Sequence, residues 1–126
     1  MYLTYEEYLT YGGTADETEF ILIEFRARKW IDYLTDCRVD KMAEVPTAVK
    51  LAMMEVIKFD GKYGAGALAD SSLLSSYSTD GYSESYGGVS DQISSAKKSL
   101  YDAVRTMLYG ELDDNGVPLL YRGVYV

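Results

Sequence analysis

The feature that most constrains this chain is a helical stripe running from Glu17 to Lys41. Phe20, Ile23, Ala27, Trp30, Leu34 and Cys37 recur at alternating spacings of three and four, which on a helix keeps them turned towards one core. Ile21 and Ile31 widen the stripe, while Arg26, Arg28, Lys29, Asp32, Asp36 and Asp40 occupy much of the remaining surface. Asp16 is a good N-cap, and Glu19 stands three residues later, at the spacing of a capping box. Trp30, the only tryptophan, brings the largest apolar area to the middle of the stripe. One long helix over 17–41 is therefore expected, with Trp30 buried and the other helices covering it.

At 126 residues the chain suits one domain, 1–126, with a modest core. Its hydrophobic content of 48% and charged content of 25% are those of a soluble globular protein. No apolar run approaches the roughly 20 residues that span a bilayer, and no basic-then-apolar start marks a signal peptide. No membrane partner is expected. Cys37, the single cysteine, sits on the apolar stripe, so a buried thiol is expected rather than a nucleophile. A lone cysteine cannot form an internal disulfide, which points to a reducing compartment during folding.

Twenty acidic against twelve basic residues give a net charge of −8, which argues against a nucleic-acid grip. The acid is unevenly placed. Residues 1–25 hold Glu6, Glu7, Asp16, Glu17, Glu19 and Glu24 and no lysine or arginine. There is no histidine, so the commonest general base and the commonest metal ligand are both missing. No catalytic residue, cofactor or metal site is assigned.

Thr4 and Glu7 form a second capping box, with Leu3 and Tyr8 placed as a hydrophobic staple across it. A short helix over about 5–11 follows, ended by Gly12–Gly13. Tyr2, Tyr5, Tyr8 and Tyr11 recur every three residues and wind round it. Packing on the main helix is their simplest role, with some facing outward. Pro46 suits the first turn of a third helix over about 46–60, whose stripe is Val49, Ala52, Met53, Val56 and Ile57 and whose stop is Gly61. Lys62 to Ala69 is a connection, and its Gly-Ala-Gly lacks the context of a phosphate loop. Ser90 is the expected cap of a last helix over about 90–109, with the stripe Ile93, Ala96, Leu100, Val104, Met107 and Leu108, closed by Gly110. Glu111 to Gly116 lacks the ligand spacing of an EF-hand and is expected to be an ordinary turn.

Two stretches fit the helical pattern poorly. Between 73 and 86 the period changes, and Asp80–Gly81 is a two-residue hairpin signal. With those residues as the loop, Ser76, Ser78, Ser83 and Ser85 share one face, and Tyr77, Tyr82 and Tyr86 share the other. Without histidine to activate a serine, a solvated serine face is the simpler meaning. After Pro118 comes the apolar tail Leu119-Leu-Tyr-Arg-Gly-Val-Tyr-Val126, which either folds back on its own helices or seeks a partner strand. Taken as detached from the last helix, residues 118–126 are expected to serve assembly more than folding. The fold class is thus all-α: a small bundle of about four helices, a β-hairpin loop at about 73–86 and an extended C-terminal tail.

Three ordered motifs resemble the head–tail connector (adaptor, or head-completion) proteins of long-tailed bacteriophages, siphophages among them. They are Met1-Tyr-Leu-Thr-Tyr-Glu-Glu-Tyr8 with Tyr11-Gly-Gly13 and Ile31-Asp-Tyr-Leu-Thr35; the hairpin Ser76 to Tyr86; and Leu119-Leu-Tyr-Arg-Gly-Val124. They span nearly the whole chain. The resemblance implies a non-enzymatic virion protein, assembled in the bacterial cytoplasm from a phage or prophage gene. It would form a closed ring of roughly a dozen copies beneath the portal protein. The ring would extend the DNA channel without binding DNA specifically, and dock the next neck or tail-completion protein. Partner contacts are then expected at Tyr77, Asp80, Gly81 and Tyr82 of the hairpin and at Leu119, Leu120, Tyr121, Arg122, Val124 and Tyr125 of the tail. A ring needs two complementary surfaces, for which the acidic first quarter and the cluster Arg26, Arg28 and Lys29 are candidates. The alternative is a small bacterial protein-binding adaptor or regulatory domain without catalytic activity; a serine hydrolase ranks below both.

Overall fold

The structure, a computed structural model, describes residues 1–64 and 88–121. Among them are four α-helices and one short 3-10 turn. They are α1 (Tyr5–Thr10), α2 (Glu17–Thr35), the 3-10 turn Val39–Lys41, α3 (Thr47–Tyr63) and α4 (Gly88–Leu108). The all-α bundle is as expected. The hairpin expected at 73–86 lies outside the described residues, as does the connection after Gly64. The nearest thing to a strand among the described residues is an isolated antiparallel bridge between Leu112 and Pro118.

The N-terminal signals act as their chemistry requires. Thr4 Oγ1 accepts from the Glu7 backbone N–H at 3.1 Å, and Glu7 Oε1 accepts from the Thr4 N–H at 3.0 Å. That reciprocal pair closes the first turn of α1. At its other end Gly12, at φ +100°, lets the chain reverse, and the Gly12 and Gly13 amides donate to the Leu9 and Tyr8 carbonyls. This is the Schellman pattern. Gly13 has a separate reason to be glycine. A Cβ there would lie 2.2 Å from the Tyr8 ring, and the Tyr8 hydroxyl accepts from the amides of Thr14 and Ala15. Tyr8, Tyr5 and Phe20 stack into one aromatic cluster, with ring centroids 4.8 to 6.1 Å apart. Tyr2 and Tyr8 are buried and Tyr5 is partly so, while Tyr11 faces outward. Most of the tyrosine series therefore packs inward, the simplest of its expected roles, and Tyr11 is the one that faces outward.

α2 carries its stripe with Phe20, Ala27, Trp30, Ile31 and Leu34 buried, and Asp16 Oδ1 caps it by accepting from the Glu19 amide at 2.8 Å. Its length and edges differ from expectation. The helix stops at Thr35, because Asp36 and Cys37 take left-handed backbone at φ +55° and +59°. That break swings Cys37 off the stripe, and its thiol is exposed. Val39, on the following turn, is buried instead. Ile21 is also outside, 52% exposed.

α3, not α2, is the middle of the bundle: it packs against both α2 and α4. Val49, Ala52, Met53, Met54, Val56, Ile57 and Phe59 are all buried. At 100° per residue they cover more than half of the helix circumference, so α3 meets a neighbour on each side. Gly61 does not end it. The helix runs two residues further and stops at Gly64, whose φ of +90° suits a cap. Pro46 precedes the first turn as the N-cap. On α4, Leu100, Val104 and Leu108 are buried and Ile93, Ala96 and Met107 pack partly against the core. Ser90 lies within this helix, which begins at Gly88, so it is not the cap.

Two stability tests follow. Trp30 is buried, and its indole N–H has no partner among the described residues. Trp30→Ala is expected to cost about 3–5 kcal/mol, as large aromatic truncations in cores do. Trp30→Phe should cost clearly less, because it also removes an unsatisfied donor. Chemical denaturation measures both, and equal losses would overturn this account of the indole. The second test concerns Glu7, whose carboxyl is held below its ordinary pKa chiefly by the hydrogen bond from Lys50, and then by the Thr4 amide. A depressed carboxylate stabilises the fold above its unfolded pKa, and this is lost as pH falls through the folded value. Glu7→Gln keeps an acceptor for Thr4 but loses the ion pair. Its melting temperature is expected to fall slightly short of the parent at pH 7, with the gap closing in acid. A gap independent of pH would show that the ion pair contributes nothing.

Candidate partner-binding surface

The expected contact residues separate once they are placed. Tyr77, Asp80, Gly81 and Tyr82 lie outside the described residues, as do Arg122, Val124 and Tyr125. Leu119 is fully buried and Leu120 packs partly against the core. The expectation that all of 118–126 stands apart from the domain is therefore corrected at its first residues. The loop before them explains how. Asp113 Oδ1 accepts from the amides of Asn115 and Val117 at 2.8 and 2.9 Å, and Gly116 supplies the reversal at φ +82°. The Leu119 amide then donates to the Glu111 carbonyl at 2.9 Å. This turn bends the chain back and drives Leu119 into the bundle.

The returning segment is also fastened from outside. Arg38 Nη1 donates to the carbonyls of Thr35 and Leu119 at 3.3 and 3.2 Å, and its guanidinium lies 5.5 Å from the Tyr121 ring centre. Asp114 Oδ2 accepts from the Ala43 amide at 2.8 Å. Of the three described tail residues on the list of expected contacts, only Tyr121 offers much surface, at 49% exposed.

The basic cluster is likewise drawn partly inward. Arg26 donates through Nε and Nη2 to Asp60 Oδ2 at 3.0 and 2.8 Å, tying α2 to the buried end of α3. Arg28 Nε donates to Glu24 Oε1 at 3.2 Å. Glu24 is completely buried, and its other oxygen accepts from the Tyr2 amide at 2.9 Å. Tyr2 is held at its far end too, its hydroxyl donating to Asp32 Oδ1. Burial and that carboxylate both push the phenol pKa upward, so the ring stays neutral at physiological pH. Lys29 rests against the Phe25 ring at 5.5 Å and has no carboxylate partner among the described residues.

Glu24 was legible as an anomaly. It stands four residues after Phe20 and three before Ala27, squarely on the buried stripe, where a carboxylate requires partners. Ser94 and Lys97 of α4 are buried as well, and no spacing signal singled them out.

A cleft of about 590 Å³ lies between the α1–α2 turn and the far end of α3, lined in part by Tyr8, Tyr11, Arg26, Met54 and Asp60. Among the described residues no three His, Cys, Asp or Glu side chains gather as a metal site, and no helix is long and apolar enough to cross a membrane.

Large apolar side chains also stand in solvent. Leu9, Tyr11, Leu51, Tyr109 and Leu112 are 37% to 86% exposed, and on α2 so are Ile21, Leu22, Phe25 and Tyr33. Comparison with protein-family models, with curated proteins and with solved structures finds no match to this chain.

Leu119→Ala tests the inward placement of the tail. The expected loss is about 2–5 kcal/mol, the range for a buried leucine, read as a lowered denaturation midpoint. A loss near zero would put residue 119 back on the surface.

Proposed function

We propose that this chain is a non-catalytic assembly protein: a ring-forming head–tail connector of a long-tailed phage virion, seated beneath the portal. The observation that carries the reading is the number of large apolar side chains left in solvent on separate elements. Leu9 lies in the last turn of α1 and Tyr11 just after it, Leu51 sits on α3, and Tyr109 and Leu112 follow the end of α4. Isolated exposed apolar residues are ordinary, but groups of them mark surfaces that a partner covers. A closed ring needs two such surfaces per subunit, one complementary to the other. A subunit of net charge −8 also suits a channel through which DNA must slide without being held. The resemblance in the order of motifs from Met1 to Val124 supplies the identity of the assembly.

In this reading the hairpin region and residues 121–126 reach neighbouring subunits, the portal or the next neck protein. Leu119 and Leu120 anchor the start of that segment in the bundle. The chain needs no cofactor and no metal for this work.

Mixing the purified chain with a portal protein of a long-tailed phage tests the proposal by native mass spectrometry. A complex with many copies of the chain on each portal ring is expected. Removing residues 122–126, which spares Leu119, should leave the melting temperature nearly unchanged and sharply reduce that complex. A full-length chain that ignores the portal and forms a one-to-one complex with some other bacterial protein would replace this reading with that of a small adaptor domain.

A further inference from the structure

The outward side chains of α2 are patterned in a way that its packing on α3 does not account for. Ile21, Leu22 and Phe25 are 52%, 59% and 48% exposed and share the face opposite Phe20, Ala27 and Leu34. Two carboxylates, Glu17 and Glu19, precede this apolar trio, and three cations, Arg26, Arg28 and Lys29, follow it.

Such a helix is complementary to itself when reversed. The midpoint of positions 17 and 28 is also the midpoint of 19 and 26, between Leu22 and Ile23. One antiparallel register therefore sets Glu17 against Arg28 of a second copy and Glu19 against its Arg26, with both pairs repeated by symmetry. A two-fold axis brings matching edges of the two faces together. At 100° per residue, Glu17 and Arg28 lie on one edge, roughly 20° apart, and Glu19 and Arg26 lie on the other, also roughly 20° apart. Between these rims, offset by one residue or about 1.5 Å from direct opposition, Leu22 meets Leu22 of the second copy and each Ile21 meets a Phe25.

The cations keep capacity for this. Arg26 spends Nε and Nη2 on Asp60, and Arg28 spends Nε on Glu24, leaving Nη1 of the first and both terminal nitrogens of the second. Their side chains remain 34% and 26% exposed. A guanidinium carries five donors, so one inward and one outward carboxylate can be served together. Lys29 adds a third positive charge facing the acidic start of the other helix.

From this pattern we infer that α2 is a self-recognition surface: two copies of the chain pair antiparallel through Ile21, Leu22 and Phe25, the acidic start of each α2 against the basic middle of the other. The pairing does not depend on the chain being a ring subunit. It uses one patch twice, whereas a ring contact joins two different patches.

Analytical ultracentrifugation of the full chain tests it. A reversible dimer is expected at about 0.1–1 mM, as suits an interface below the standard size. Added salt should weaken it, because rim charges are screened. Phe25→Glu should leave a monomer with unchanged helicity and melting temperature, since Phe25 lies outside the core. Glu17→Lys with Glu19→Lys should weaken pairing about tenfold or more. The register has its own readout. On a Cys37→Ser background, Leu22→Cys should form a disulfide-linked dimer under mild oxidation, and Leu51→Cys should not. A chain monomeric throughout this range, a dimer indifferent to Phe25→Glu, or a dimer in which Leu22→Cys fails to cross-link would each overturn the inference.

Discussion

Everything in this bundle hangs on the two-sided burial of α3. A helix with a narrow apolar stripe can bury only one flank. α3 carries buried side chains over more than half of its surface, so α2 and α4 pack on it from different sides. α2 holds the largest aromatic of the core, but it lies at the edge of the structure, with one face towards α3 and one towards solvent.

Charged groups lock this arrangement. Asp60 reaches from α3 to Arg26, and Glu24 takes the Tyr2 amide and Arg28. Each carboxylate is buried, and a buried carboxylate without partners would be too costly to keep. The N-terminal residues and α3 are thereby registered on α2 by groups that hydrophobic packing alone would not position. The same pairs turn Arg26 and Arg28 partly inward, so the basic cluster is only in part a free surface. What remains outside α2 is an apolar centre between an acidic and a basic end.

As a proposed assembly protein, the chain would work through its surfaces. The exposed leucines and tyrosines at the ends of α1 and α4, together with Tyr121 just beyond the buried Leu119, are where such work would be done. The outer face of α2 adds a separate surface matched to itself.

Local physics was legible in the sequence. The Thr4–Glu7 box, the Asp16 cap, the Gly12 reversal, the turn after α4 at Gly110 (φ +86°) and the stripes of α2, α3 and α4 depend on residues a few positions apart. Their spacing therefore declares them. What only the tertiary structure decided are matters of competition between distant groups. Gly61 looked like a stop, yet packing on both sides carries α3 past it to Gly64. The period of α2 continued to Cys37, but left-handed backbone at Asp36 and Cys37 ended the helix and exposed the thiol. Pro118 suggested a detached tail, whereas the Asp113 turn folds Leu119 into the core, where Arg38 from the far side of the chain holds it. Spacing states which faces a segment offers; which of them is covered depends on partners many residues away.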